Sequence, residues 1–133
     1  MSNGGVQRKL LAAFFCLNAG AASAGPCSSY QYDKAESFAE SSGKEIIRKY
    51  GGGKNNRIVM RGCDYNSYTD RFRIDMEVYW DGSFFGDKYN VDGELRVDSD
   101  GRNGEFSMTY QNSAAEDLSF FFGVLKFGVM LAQ

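Results

Sequence analysis

The sequence predicts an α+β fold in which two helices pack on one face of a four-stranded antiparallel meander, in the order α-β-β-β-β-α. Three patterns support this fold class. Apolar residues recur at helical spacing from Tyr32 to Tyr50, alternate with polar residues in runs between Arg57 and Gln111, and become nearly continuous after Ser113. Turns rich in Gly and Asp separate the alternating runs, which is typical of antiparallel strands with one solvated face.

The start of the chain is typical of a secretory signal peptide. Its three parts are a charged start at Arg8 and Lys9, the apolar run Leu10–Leu17 and the small-residue cleavage site Ala22-Ser23-Ala24. Cleavage after Ala24 would remove residues 1–24 and leave residues 25–133 as one exported domain, periplasmic or extracellular. The apolar run is too short to cross a bilayer, so we expect a cleaved leader and not an anchor.

Export would place the remaining cysteines in an oxidising compartment. Cleavage removes Cys16, and we then expect Cys27 and Cys63 to form a disulfide. In the chain-entropy model, a disulfide that closes this loop stabilises the fold by roughly 4 kcal/mol. The apolar phase of the first strand changes at Gly62, so we predict a β-bulge there that turns Cys63 toward the helix.

The first helix is predicted over Tyr32–Tyr50, and Gly51-Gly52-Gly53 ends it. One face of this segment is apolar or small at helical spacing, with Ala35, Phe38, Ala39, Ser42, Ile46 and Tyr50. Four strands are predicted after it, at Arg57–Asn66, Arg71–Trp80, Lys88–Asp98 and Glu105–Gln111. The first of these strands has the least regular alternation.

A second helix is predicted from Ser113 to about Leu131, because Ser113-Ala114-Ala115-Glu116 has the capping-box pattern. This helix would be apolar nearly all round and would need cover on two sides. Gly123, Gly128 and the aromatic content leave a strand as the alternative. The apolar stretch is too short to span a membrane, but one stripe of Leu118–Leu131 could contact a membrane surface or a second copy of the chain.

The composition excludes several classes of function. The chain contains no histidine, which removes the commonest general base and the commonest transition-metal ligand. Loss of Arg8 and Lys9 takes the net charge from −2 to −4, and no basic cluster is present, so we expect no nucleic-acid partner. We also expect no metal and no cofactor. Asp98–Glu105 has the composition of a calcium loop, but Arg102 occupies a ligand position, so this run predicts a hairpin turn.

The polar side of the predicted sheet carries many carboxylates, namely Asp75, Glu77, Asp92, Glu94 and Glu105. Paired carboxylates can perform acid–base chemistry when a cleft raises the pKa of one of them. The same face carries the basic residues Arg71, Arg73, Lys88 and Arg96. Cross-strand ion pairing on a solvated surface is therefore the favoured interpretation.

The segment Asp81–Asp87 is the strongest candidate for a binding site. It places Phe84 and Phe85 between glycines at a hairpin tip, where side chains are normally polar. Aromatic side chains on a loop that a rigid sheet holds are suitable binding anchors. The alternative is that one or both phenylalanines fold back over the sheet edge. Three tyrosines could extend the same surface, namely Tyr65, Tyr68 and Tyr79.

These observations favour a non-catalytic binding module that acts on a protein or on a component of the cell envelope. The first alternative is an interaction protein that uses its apolar C-terminal helix for oligomerisation or membrane docking. A carboxylate-dependent hydrolase is the remote alternative. Burial of Phe84 and Phe85 would argue against the binding site, and an open, flat sheet face would argue against the hydrolase.

Overall fold

The computed structural model describes residues 24–118 and 124–130. In chain order the elements are β1 (Ala24–Pro26), α1 (Ser29–Lys49), β2 (Gly53–Asn66), β3 (Arg71–Gly82), β4 (Lys88–Asp98), β5 (Glu105–Gln111), α2 (Ser113–Leu118) and β6 (Val124–Lys126). The strands form one antiparallel sheet whose spatial order equals the chain order, β1-β2-β3-β4-β5-β6. The predicted α+β class and antiparallel meander are confirmed. The predicted number of strands is wrong, because the described part of the sheet has six strands and not four.

Helix α1 begins earlier than predicted because a capping box precedes Tyr32. The Ser28 side chain accepts a hydrogen bond from the Gln31 backbone N–H (3.3 Å), and the Gln31 side chain accepts one from the Ser28 backbone N–H (2.8 Å). Gly51 and Gly52 follow the helix with φ values of +103° and +81°. This left-handed backbone suits glycine and ends α1 where the sequence predicts.

The core lies between α1 and one face of the sheet. The rings of Phe38 and Phe72 pack edge to face with centroids 5.9 Å apart, and the Ser42 hydroxyl donates to the sulfur of Met76 (3.4 Å). A side chain at Gly43 would approach the Ile58 side chain to 2.5 Å, so this glycine permits close contact between helix and sheet. The most deeply buried large side chains are Phe38, Ile46, Phe72, Ile74, Met76, Trp80, Leu95 and Phe106.

The bulge and the disulfide both lie where the sequence predicts them. Met60 is opposite Met76 and Gly62 is opposite Asp75, so the pairing of β2 with β3 shifts by one residue between these positions. Beyond the shift, Cys63 faces the core side of the sheet. It forms a disulfide with Cys27, with a Cα–Cα distance of 5.5 Å. This bond ties the start of α1 to β2.

The predicted helix from Ser113 to about Leu131 is wrong at Val124–Lys126. Helix α2 has six residues, and Val124–Lys126 forms β6, which pairs with β5. Gly123, Gly128 and the aromatic content left a strand as the alternative, and the alternative holds at Val124–Lys126, where it satisfies the free edge of β5 through backbone hydrogen bonds. Residues 119–123 and 131–133, which belong to the same prediction, lie outside the described residues.

After β6 the chain passes over the turn between β4 and β5. The Phe127 N–H donates to the Gly104 carbonyl (2.9 Å), and the Met130 N–H donates to the Gly101 carbonyl (2.8 Å). Met130 is buried, and Gly101 has a φ of +87°. We call residues 127–130 the C-terminal segment.

The predicted signal peptide, including Cys16, lies outside the described residues except for Ala24. Ala24 is opposite Asn66 in the pairing of β1 with β2. The predicted cleavage point therefore lies within β1. In the described part of the chain, no helix combines the length and the apolar character needed to cross a membrane.

Candidate functional site

The tip of the β3–β4 hairpin presents two adjacent phenylalanines to solvent. The side chains of Phe84 and Phe85 are 89% and 92% exposed. The alternative in which they fold back over the sheet edge does not occur in the structure. Adjacent large apolar side chains that are both exposed indicate an interaction site, whereas single exposed ones are common on protein surfaces. We call these two residues the aromatic tip.

Hydrogen bonds hold the base of the aromatic tip. The Gly82 N–H donates to the Asp87 carbonyl (2.8 Å), which closes the loop. The carboxylate of Asp81 accepts from the Asn55 side-chain amide (2.8 Å) and from the Lys88 ammonium (3.0 Å). These two donors lower the pKa of Asp81, with Asn55 the larger cause. Asp81, on β3, therefore connects to both neighbouring strands, β2 and β4, at this end of the sheet.

Aromatic packing on the core side supports the same end of the sheet. Trp80 stacks on Tyr89 with centroids 5.3 Å apart and planes at 19°, and Tyr50 packs against Trp80 at 5.4 Å. Gly82 lies against Tyr89, and a Cβ at Gly82 would approach that ring to 2.8 Å. The aromatic tip is thus exposed on a hairpin whose base is packed, which limits the entropy that binding would cost.

Tyr79 lies on the open face of β3, the face not covered by α1. Its ring lies under the Arg57 guanidinium, 4.3 Å from the ring centroid. Its hydroxyl donates to Glu77 (2.8 Å), and this bond raises the pKa of Tyr79. Tyr79 is therefore half-buried and already engaged by two charged neighbours.

Tyr65 and Tyr68 lie at the other end of the sheet from the aromatic tip. Tyr65 packs on Phe72 with centroids 5.1 Å apart, and its hydroxyl donates to Asp70. Tyr68 is 89% exposed in the β2–β3 turn. Strand β3 separates the two ends by roughly 35 Å. The structure therefore does not bring these two tyrosines together with Phe84 and Phe85 on one surface.

The open face carries the charged residues that the sequence places there. Three consecutive pairs of like charge lie opposite each other on β3 and β4, namely Arg73 with Arg96, Asp75 with Glu94, and Glu77 with Asp92. Like charges directly opposite one another destabilise a sheet. Ion pairs to other positions offset this, including Arg73 with Glu94 (2.8 Å) and Arg61 with Glu77 (3.1 Å).

The carboxyl groups of Asp92 and Glu77 differ in acidity. Burial raises the pKa of Asp92 and Glu77 opposite adds to this, although a hydrogen bond from Asn90 (2.7 Å) opposes it. Hydrogen bonds from Arg61 and Tyr79 lower the pKa of Glu77. This asymmetry is what acid–base pairs use. Both groups lie on the open face and Glu77 is held by Arg61, so the hydrolase alternative has less support than the aromatic tip.

Sequence reasoning missed Asn55, which braces the aromatic tip from β2. Asn55 has a φ of +55°, a conformation that Asn tolerates better than most residues. The register of β2 and β3 shifts between Lys54 and Arg57, next to this residue. The Gly-Lys-Asn-Asn run after the helix was the available signal, since Gly and Asn are enriched where the backbone is left-handed.

Comparisons of the chain with protein-family models, with curated proteins and with solved structures found no match. Within residues 24–118 and 124–130, no three metal-ligating side chains are grouped so that they could hold a metal ion. Function is therefore inferred from the geometry of the described side chains.

Proposed function

We propose that this protein is an exported, non-catalytic binding module and that its aromatic tip inserts into an apolar pocket of a partner protein in the cell envelope or outside the cell. The observation that supports this most directly is the near-complete exposure of Phe84 and Phe85 on a braced hairpin. Aromatic side chains that enter a partner's pocket carry much of the energy of many interfaces. The Cys27–Cys63 disulfide supports an oxidising compartment.

The aromatic tip alone would bind weakly. Full burial of one Phe side chain is worth about 1.5–3 kcal/mol, whereas micromolar affinity needs about 8 kcal/mol. Polar residues around the tip would supply the rim of the interface. Lys54, Lys88 and Asp87 are exposed beside it, and Lys88 pairs with Asp81, so a partner pocket with a polar rim of mixed charge fits this end of the molecule.

The test is affinity capture from an envelope extract with the full chain, followed by direct binding of the purified captured protein. We expect the double substitution Phe84→Ala/Phe85→Ala to abolish binding of that protein. Tyr68→Ala is the matched control, since it removes an equally exposed aromatic side chain at the opposite end of the sheet. Equal binding of the captured protein by the wild type, the double variant and Tyr68→Ala would contradict the proposal.

Vesicle sedimentation distinguishes a membrane from a protein as the partner of the aromatic tip. If the full chain sediments with lipid vesicles and the double variant does not, the tip docks on a membrane and the proposed protein partner is wrong. Circular dichroism of the double variant checks its fold. Both substituted side chains are exposed, so we expect a stability change within about 0.5 kcal/mol.

A further inference from the structure

The outer edge of β2 is open along most of its length. Strand β2 has 14 residues, but β1 has only three and pairs with residues 64–66. The chain then leaves the edge and enters α1. Among the strands that the structure describes, none lies beside the outer side of residues 53–62, which we call the β2 edge. An open edge presents backbone hydrogen-bonding groups to any other extended chain.

The hydrogen bonds of the neighbouring strands fix which backbone groups point to the β2 edge. The Asn112 N–H donates to the Asn90 carbonyl (3.0 Å), so the backbone of Asn90 faces β5 and that of the next residue, Val91, faces β3. Val91 is opposite Val78, and Val78 is opposite Ile58. Because Val78 bonds to β4, the N–H and C=O of Ile58 point away from β3, toward the β2 edge.

Met60 points its backbone groups the same way. It is opposite Met76, which is two residues from Val78 and therefore has the same orientation on β3. Cys63 continues the series beyond the bulge, and its outward carbonyl accepts a hydrogen bond from the Cys27 N–H (3.1 Å). Between its two register shifts, β2 thus presents two N–H donors and two C=O acceptors that no described strand uses.

The side chains along the β2 edge alternate in character. Ile58 and Met60 are partly buried at the margin of the core. Arg57, Val59 and Arg61 lie on the open face of the sheet. A strand added at this edge would therefore place alternate side chains beside Ile58 and Met60, where apolar groups would extend the core.

The two arginines of the β2 edge differ in their partners. Arg61 forms an ion pair with Glu77 (3.1 Å). Arg57 is exposed and lies over the Tyr79 ring, but it forms no ion pair with a carboxylate in the described part of the chain. An acidic side chain in an added strand is therefore favoured beside Arg57.

A second copy of the chain suits the β2 edge less well than a different polypeptide. If two β2 strands pair in antiparallel fashion and use both outward residues, Ile58 lies opposite Met60. The same register sets Arg57 opposite Arg61 at two places. Like charges directly opposite one another destabilise a sheet, so this register is disfavoured.

We propose that the β2 edge binds an extended segment of a partner polypeptide, antiparallel to β2 and opposite residues 57–61. Its apolar side chains lie beside Ile58 and Met60, and an acidic side chain lies beside Arg57. In such strand addition, main-chain hydrogen bonds provide affinity and alternate side chains provide specificity. Because Cys27 occupies the next position along the edge, the segment has about five residues in contact. This site does not depend on the function proposed for the aromatic tip.

The probe is the synthetic peptide acetyl-Thr-Val-Thr-Ile-Glu-amide, whose residues would lie opposite residues 57–61 in reverse order. It is titrated to millimolar concentration into the full, oxidised chain, and amide hydrogen exchange is followed by NMR. Without the peptide, the amides of Ile58 and Met60 should exchange fast, whereas β3 protects those of Arg57 and Val59. The peptide should slow exchange at Ile58 and Met60 in a saturable manner.

Two N-methylated peptides test whether binding occurs through the backbone. In the proposed complex the amide of the peptide isoleucine donates to the Ile58 carbonyl, so methylation of this nitrogen should weaken binding by about tenfold or more. The amide of the central threonine points away from β2, and its methylation is the matched control that should be tolerated. Equal weakening by the two methylations would overturn the proposal, as would the absence of saturable binding by the unmodified peptide.

Substitution of Arg57 tests the side-chain contribution. We expect Arg57→Glu to weaken binding of the peptide by about fivefold, because it replaces a surface attraction with a repulsion. Arg102→Glu makes the same change of charge at an exposed position in the β4–β5 turn and should bind the peptide as the wild type does. Equal binding by the two variants would contradict the acidic contact at Arg57. Thermal unfolding checks that both variants are folded.

Sedimentation equilibrium of the wild type without the peptide tests the other occupant. We expect a monomer. A concentration-dependent dimer in which the amides of Ile58 and Met60 are protected would show that a second copy covers the β2 edge, and the proposed partner would then be wrong.

Discussion

Gly101 shows how a single residue controls the placement of a whole segment. Its φ of +87° is unfavourable for any residue with a Cβ, and a Cβ built there would overlap the backbone of Met130. The Met130 N–H also donates to the Gly101 carbonyl. The C-terminal segment can therefore lie over the β4–β5 turn only while position 101 has no side chain.

We expect Gly101→Ala to lower the free energy of unfolding more than Gly86→Ala does. Gly86 has a φ of +70° but nothing within 4 Å of a Cβ, so it reports only the backbone cost of about 1–2 kcal/mol. Overlap with Met130 should add about 1–3 kcal/mol in Gly101→Ala. Urea unfolding of both variants measures the difference. Equal losses would show that the C-terminal segment does not pack on Gly101.

Substitution of Asp92 is expected to raise the free energy of unfolding, whereas the glycine substitutions lower it. Burial raises its pKa in the folded state, so the ionised carboxylate destabilises the fold once the pH rises through the folded pKa. Asp92→Asn should therefore stabilise the protein at pH 7, by up to about 0.5 kcal/mol. The gain should disappear below the unfolded pKa of about 3.9, where Asp92 is protonated in both states. Thermal unfolding across this pH range is the measurement, with the exposed Asp75→Asn as the control.

At the scale of elements, the disulfide is the main covalent support of the fold. It connects residues that are 36 positions apart and fixes the start of α1 on β2. Strand β1 precedes it immediately and has only three residues, so it gains little from its own pairing. The bond therefore also holds this edge of the sheet in place.

We expect the double substitution Cys27→Ser/Cys63→Ser to lower the free energy of unfolding by about 2–4 kcal/mol. Urea unfolding with and without dithiothreitol measures this effect. The reductant should destabilise the wild type to the same extent and leave the double variant unchanged. A wild type that is insensitive to reduction would show that the bond does not support the fold.

Elements with a local pattern were predictable, and those that depend on distant pairing were not. Strict alternation predicted β3 and β4, and the change of phase at Gly62 predicted the bulge, because both follow from which side chains face the core. Val124–Lys126 is different, since its apolar pattern suits a helix or a strand and the free edge of β5 decides between them. Strand β1 was not predicted because three residues are too few to show an alternation of apolar and polar side chains.

At the scale of the whole molecule, stability should decrease from the centre of the sheet to its edges. Strands β3 and β4 have paired neighbours on both sides and carry most of the buried sheet residues, whereas β1 and β6 are three-residue edge strands. We expect native-state hydrogen exchange to give the strongest protection in β3 and β4 and much weaker protection in β6. Equal protection in β6 and β3 would contradict this ranking.

The candidate sites show what the sequence could and could not predict at this scale. The Phe-Phe pair between glycines pointed to the hairpin tip, but only the fold shows that both rings face solvent. The separation of Tyr65 and Tyr68 from that tip depends on the length of β3. The opposition of Arg73 and Arg96 depends on the register between β3 and β4, and alternation alone does not specify register between strands.

The identity of spatial order and chain order also determines how the protein can assemble. Each strand after β1 pairs with the strand that precedes it along the chain. A polypeptide that emerges N-terminus first can therefore add every new strand to one already formed. Cys27 and Cys63 are both present before β3 is complete, so the cross-link can form while the second half of the sheet is still unfolded. The meander is therefore suited to folding while the rest of the chain is still emerging, with β6 adding last among the described strands.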